Sequence, residues 1–252
     1  VPERADQAAL AARLGVFALE LTVEEGIDLT PSFRRVRLSG PGVATLPALP
    51  GHDLMVSVDP DQASLRRRYT IRRLDAASGT VDLDIALHGG GPGMRWAADA
   101  HRGDSVEALG PRGKVTLDPS ADWHLFVGEE SFCPAALVMA EAVPADQRVL
   151  LALEVESEAD VLDHSIGAEV SGPGWLWRGH HDPGHESPLP AAIADLTLPE
   201  GVGHAYVGGE FHVVNEVRAK LIEKGMAADQ IDAKPYWRLG RGNGSHGEPE
   251  RD

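Results

Sequence analysis

The octapeptide RRRYTIRR, residues 66–73, gathers five arginines around one tyrosine and one threonine. Arginine offers paired hydrogen bonds to phosphate or carboxylate, tyrosine an aromatic platform, and threonine a hydroxyl. On an alternating strand Arg67, Tyr69 and Ile71 share one face, while Arg68, Thr70 and Arg72 share the other. A twist or bulge at the strand end brings Arg67, Tyr69 and Thr70 around one ligand. An anion attached to a flat ring system suits all three. The competing reading is an arginine-rich edge strand kept soluble by its charge.

Residues 88–104, HGGGPGMRWAADAHRGD, run a glycine-rich loop into a helical pattern. Such a loop presents backbone N–H groups where the helix dipole favours an anion. The same proline and glycines suit an ordinary helix start, and the run does not match GxGxxG with a following acid. Its weight comes from lying in the same part of the chain as the arginine cluster. Two other constellations compete. GHHDPGHE, residues 179–186, places His180 or His181 near His185 with Asp182 and Glu186 as oxygen donors. The Pro183–Gly184 pair breaks the helix that would give this zinc-like spacing its geometry, so a solvent-exposed loop is the better reading and no metal is assigned. GEES, residues 128–131, lacks the second glycine of a serine nucleophile elbow.

The elements that must position these residues fall into two sets. FALELTVEE (17–25), SFRRVRLSG (32–40), HDLMVSVD (52–59) and GTVDLDIALH (79–88) alternate in part and are bounded by turn residues; DSVEALG and KVTLD follow as shorter runs. Six or more strands so bounded predict an antiparallel barrel, taken as six-stranded and interrupted by one short helix at MRWAADA. Further on, WHLFVG (123–128), VLLALEV (149–155) and HAYVGGE (204–210) alternate with FCPAALVMAEAVP and FHVVNEVRAKLIEKG. In the last of these Val213, Val217, Leu221 and Ile222 mark one helix face. Strand–helix alternation predicts a parallel sheet with helices on its faces. The fold class is therefore two-domain, a β-barrel followed by an α/β domain.

Charge divides the same way. Of the 252 residues, 1–118 hold 14 Lys+Arg against 16 Asp+Glu, and 119–252 hold 9 against 23, a net of −14 in the second part. The expected domains are 1–118 and 119–252, with the DPSAD turn at the break. The formal net charge of −16 argues against a nucleic-acid partner. No apolar run reaches the length of a membrane span, so no membrane insertion is expected. The opening VPERADQAALAARLG lacks the apolar stretch of a signal peptide. Cys133 is the single cysteine, which rules out an intramolecular disulfide and points to a reducing, cytoplasmic setting.

RRYTIR (67–72), DLDIALHGGGPGMRWA (82–97), GDSVEALGPRG (103–113), VGEESFCPAA (127–136) and KPYWRLGR (234–241) together resemble the siderophore-interacting proteins, flavin-dependent ferric-siderophore reductases related to the ferredoxin–NADP reductases. The resemblance runs from about residue 16 to 241. It implies a flavin-binding barrel followed by a nucleotide-binding-like reductase domain, FAD as cofactor, and electrons from NADH, NADPH or a redox protein such as ferredoxin. It implies a ferric siderophore as substrate and Fe(II) as product in intracellular iron acquisition.

Carried onto this chain, Arg67 pairs with the cofactor's phosphate side, Tyr69 packs on the flavin ring and Thr70 bonds near its reactive nitrogen. Tyr69 and Thr70 are thus the catalytic candidates. His88, Gly91, Pro92, Gly93 and Met94 line the diphosphate and adenosine, with Trp96 and Ser131 as further cofactor candidates. Relatives carry Ala-Ser where this chain has Gly93–Met94, so a serine hydroxyl is missing. At residues 128–135 relatives read Gly-Asp-Glu-Thr-Ala-x-Pro-Ala. Here Glu129 and Glu130 stand at a helix start, where they cap the dipole and repel a diphosphate, and Phe132 replaces a small residue. Lys234, Arg238 and Arg241 are candidate contacts for an anionic siderophore, while Tyr236 and Trp237 read as a C-terminal strand packed on the sheet. A binding protein of the same fold that has lost its flavin is the alternative.

Overall fold

A computed structural model describes residues 2–59, 61–62, 64–184 and 186–242. The chain divides into two compact units, the first running to Lys114 and the second from Val115 to Gly242. No helix among the described residues is long and apolar enough to cross a membrane.

The first unit is a closed barrel. Its strands are β1 (Phe17–Thr30), β2 (Phe33–Ser39), β3 (Asp53–Ser57), β4 (Arg66–Asp75), β5 (Thr80–Ala86) and β6 (Ser105–Arg112), in spatial order β1-β2-β5-β4-β3-β6, with every pair antiparallel. Alternation puts Leu19, Leu21, Val23, Val36, Leu38, Leu54, Val81 and Leu83 inside as one apolar core. β6 returns to pair with β1, Phe17 opposite Gly110, so no edge remains. That overturns the edge-strand reading of the arginines, since β4 lies between β3 and β5. It also corrects KVTLD, which forms no strand because closure leaves nothing for it to pair with. A helix that the sequence pattern did not reveal, α1 (Pro2–Leu14), packs Ala11 on Met55 and Leu109 outside the barrel.

Charged residues on the outer face are matched across strands. Arg35 is in register with Asp84 and Arg37 with Asp82, and each pair forms two hydrogen bonds of 2.7–2.9 Å. The bidentate fork suits this geometry and neutralises two buried carboxylates. Arg72 adds a contact of 3.7 Å to Asp84. A bulge between Ile71 and Arg73 breaks the β4 register there.

The second unit is a parallel sheet of β7 (Trp123–Glu129), β8 (Arg148–Val155), β9 (Glu169–Trp177), β10 (Gly203–Glu210) and β11 (Ile231–Trp237), ordered β11-β10-β7-β8-β9. Helices α3 (Cys133–Ala140), α4 (Leu189–Asp195) and α5 (Phe211–Glu223) accompany it, after α2 (Pro92–Asp99) of the first unit. β9 and α4 were not legible. The strand EVSGPGWLW carries two glycines and a proline that break alternation and shift its register, and α4 is a short helix of seven residues with prolines at its start. On α5 the buried face is Val213, Val214, Val217 and Leu221; Ile222 is 41 % exposed, one position off the stripe.

Removing a carboxylate from the barrel's ladder strands its arginine. Asp84→Ala should lower unfolding free energy by about 3 kcal/mol, measured by urea denaturation. A loss under ~0.5 kcal/mol would mean that the ladder is a solvated surface.

Candidate functional site

In the first unit β4 and α2 meet around one contact. A Cβ built on Gly93 would overlap the Tyr69 hydroxyl and come within 3.0 Å of Arg67 Cγ. Tyr69 stacks on Trp96 with ring centroids 5.7 Å apart and planes at 19°. The arginine strand and the glycine loop, separate signals in the sequence, therefore form one surface containing Arg67, Tyr69, Gly93 and Trp96. Burial raises the Tyr69 phenol above its usual value, so it stays a neutral hydroxyl. Arg67 is half-buried, its charge disfavoured by desolvation, and one of its nitrogens donates to the Arg66 carbonyl at 2.7 Å.

The start of α2 is open. Gly91 is its N-cap, no side chain caps it, and its first turn holds no acid. Gly89 and Gly90 have positive φ, and a Cβ at either, or at Gly91, would meet nothing within 4 Å. The orphan N–H groups of the first turn are available to an outside acceptor, with Pro92 occupying the position that has no N–H to offer. Arg95 folds back to the Gly90 carbonyl, Met94 is half-buried, and His88 is half-buried just beyond β5. Thr70 lies on the opposite face of β4 from Tyr69, in register with Asp53 of β3. Asp53, which no motif singled out, is buried and holds Arg68 with two hydrogen bonds. Arg68 and Arg72 are thus cations paired with aspartates on neighbouring strands.

The carboxyl ends of the second unit's strands are built the opposite way. Glu129 ends β7, Glu154 lies near the end of β8 and Glu210 ends β10; with Glu130 they are almost fully buried. Glu129 accepts from the Ser131 amide at 2.9 Å, from the Ser131 hydroxyl, and from Trp237 Nε1 at 3.0 Å. Glu210 accepts from the His212 and Val213 amides at the start of α5 and from Leu239 N–H at 3.0 Å. Glu130 accepts from Glu156 N–H at 3.0 Å and from Arg178 at 3.1 Å. Arg178 also lies 3.6 Å from Glu154. Burial, then neighbouring glutamates, push Glu154 up to about 7 against the pull of Ser187 and Arg178. The N-cap of α3 is Phe132, with no side-chain cap, so Ser131 bonds to Glu129 rather than capping the helix. Arg178, Glu154 and Glu210 were missed in the sequence, where an acid closing a strand reads as a surface residue.

Lys234 sits 5.6 Å from the Tyr236 ring centroid, and the Arg238 guanidinium is 4.7 Å from that of Phe211. Arg241 pairs with Arg238 through the backbone, its N–H donating to the Arg238 carbonyl at 3.1 Å. Tyr236 is half-buried edge-on to Phe132 at 6.0 Å, and Trp237 bonds to Glu129, as expected of a strand packed on the sheet. In the histidine loop, His180 faces Glu156 and His181 faces Glu186, two separate pairings; His185 is outside the described residues.

Comparison with known proteins agrees with this geometry. Residues 48–115 match the siderophore-interacting FAD-binding domain, and residues 121–240 match the siderophore-interacting protein family. Ferric vibriobactin reductase ViuB of Vibrio cholerae is 34 % identical over 212 residues, covering 82 % of this chain and 76 % of its own. A siderophore utilization protein from T. fusca has a TM-score of 0.81 at 30 % identity, over 92 % of this chain and 96 % of that one. The siderophore-interacting protein SipS from Aeromonas hydrophila has a TM-score of 0.73 at 30 % identity, over 88 % and 98 %.

The donors around α2 fit FAD: open amides with no acid in the helix's first turn, a guanidinium and a neutral phenol. Gly93→Val should drive Tyr69 off Trp96 and weaken FAD at least about tenfold in a fluorescence titration, roughly 1.4 kcal/mol; an unchanged affinity would separate this contact from the cofactor. For Glu154 the sign follows from its raised pKa. Its proton-linked stability is complete below the unfolded value of about 4.3 and is lost as pH rises through about 7. Glu154→Gln should therefore melt ~4 °C above wild type at pH 8 and close to it at pH 5. Equal shifts at both pH values would contradict the assignment.

Proposed function

The chain belongs to the siderophore-interacting protein family and is an FAD-dependent oxidoreductase acting on siderophore iron, and on that premise we propose that its electrons come from NADH, NADPH or a redox protein. They pass to a ferric siderophore, which releases Fe(II) for iron acquisition in the cytoplasm. Cys133 is the chain's single cysteine, so the fold uses no intramolecular disulfide, which suits a reducing compartment.

The observation that carries this reading is the open, acid-free start of α2 beside Arg67 and Tyr69. We assign the diphosphate of FAD to the first-turn amides of Gly93 and Met94 and to Arg67, with His88, Gly91 and Pro92 shaping the loop. Tyr69, braced by Trp96, offers the ring a flat neighbour, and the Thr70 hydroxyl offers a hydrogen bond from the other face of β4. When bound, FAD turns one hydride equivalent into two single-electron transfers, so two ferric ions are reduced for each nicotinamide oxidised. No side chain moves a proton at the iron; the chain orients and shields. Lys234, Arg238 and Arg241 are proposed to attract an anionic ferric complex, being rare cations in a strongly acidic half.

Anaerobic titration tests this. The purified protein should show flavin absorption, bleach with NADH or NADPH, and recover as a ferrous chelate forms on adding ferric siderophore. A colourless protein that takes up no FAD would remove the reductase reading. Replacing Lys234 and Arg238 together by Ala should raise KM for an anionic siderophore and leave flavin content intact; an unchanged KM would remove them from the substrate path.

A further inference from the structure

In parallel α/β sheets a nucleotide docks at the carboxyl ends of the strands, at the point where strand order reverses, with its phosphates on backbone amides. Here that point lies between β7 and β10, since the chain leaves β7 toward β8 and later returns on the other side of β7 as β10. Gly128 and Gly208 are the last register pair there. Phe132, 4 % exposed, lies across both glycines: a Cβ at Gly128 would stand 2.8 Å from Phe132 Cβ, and one at Gly208 would stand 2.8 Å from Phe132 Cγ. A Cβ at Gly128 would meet the Gly208 carbonyl first and the ring next, so neighbouring backbone and the chain's own ring together fill the space beside the two glycines.

Amides near it are taken too: that of Ser131, just before α3, bonds to Glu129, and those of His212 and Val213, in the first turn of α5, bond to Glu210. A second cover lies over Glu210, where Gly184 comes so close that a Cβ would stand 2.8 Å from Glu210 Cγ and 3.1 Å from the Trp237 ring. Carboxylates therefore occupy the positions where a diphosphate would be held, and they are buried, so little water screens their repulsion.

We propose that Phe132, backed by Glu129 and Glu210, closes the switch crevice of the second unit to dinucleotide diphosphates, so that nicotinamide donors are used through their nicotinamide end alone. The inference rests on the flavin-reductase reading. The adenosine half then contributes nothing, and the 2′-phosphate that separates NADPH from NADH goes unread.

Two measurements on the FAD-loaded wild-type protein decide it. Calorimetric titration with ADP-ribose should give no binding tighter than about 1 mM. Anaerobic stopped-flow reduction should rise linearly with donor, with second-order constants for NADH, NADPH and reduced nicotinamide mononucleotide agreeing within about threefold, less than 1 kcal/mol. Saturation by either dinucleotide together with a mononucleotide at least about tenfold slower would overturn the proposal, as would micromolar ADP-ribose binding. Phe132→Ala, and Phe132→Ala with Glu129→Gln, should gain ADP-ribose affinity. Folded variants without that gain would remove Phe132 as the closing residue, and if neither folds the wild-type arms still decide. Dithionite-reduced protein mixed with ferric siderophore and a ferrous chelator tests the underlying reading separately. Iron reduction with tight ADP-ribose binding overturns only the closed crevice; no iron reduction with no ADP-ribose binding overturns only the reductase reading.

Discussion

Backbone amides at the ends of helices and strands need an acceptor, and the source of that acceptor divides this protein into its two chemistries. At the start of α2 no side chain of the helix supplies one, and glycines keep the approach open. At the start of α5 the preceding strand supplies Glu210, and just before α3 it supplies Glu129 to the Ser131 amide. One fold element, a helix N-terminus after a strand, is thereby left open at α2 in the first unit and closed by the chain's own carboxylate at α5 in the second. Local acid placement makes the difference.

The same charge logic runs through the barrel. Arginine recurs on β2 and β4, and each ladder arginine meets a buried aspartate on a neighbouring strand: Arg35 with Asp84, Arg37 with Asp82, Arg68 with Asp53. These pairs lie across strands, so barrel register and charge neutrality constrain one another: slipping β2 by one residue against β5 would bury Asp82 and Asp84 without partners. Arg67 sits on the Tyr69 face beside Gly93, with its charge disfavoured by desolvation, and a bound anion would relieve that cost.

Much of this was legible in local pattern. Alternation marked β1, β2, β3 and β5 because a barrel strand has one apolar and one polar face, and the arginine motif marked β4. Apolar runs marked β7, β8 and β10 because parallel strands are buried on both faces. Patterns failed where an element is held by contacts remote in sequence. β9 is held by pairing to β8 despite its glycines and proline, α1 by Met55 and Leu109, and KVTLD alternates but has no strand to join. Ile222 fell off the α5 stripe because an apolar residue one position from the face still turns by about 100°.

Taken alone, the sequence determined the two-part architecture, the RxYT and GPG motifs and the family they resemble, because each rests on residues adjacent in the chain whose spacing carries its own geometry. Only the tertiary structure decided which charges act. It matched Arg68 and Arg72 to aspartates on other strands, set Tyr69 against Trp96 and Gly93, and brought Glu130, Glu154 and Arg178 together from three stretches of chain. An ionisable side chain is defined by its neighbours' charge and its distance from water, and neither can be read until the strands are laid side by side.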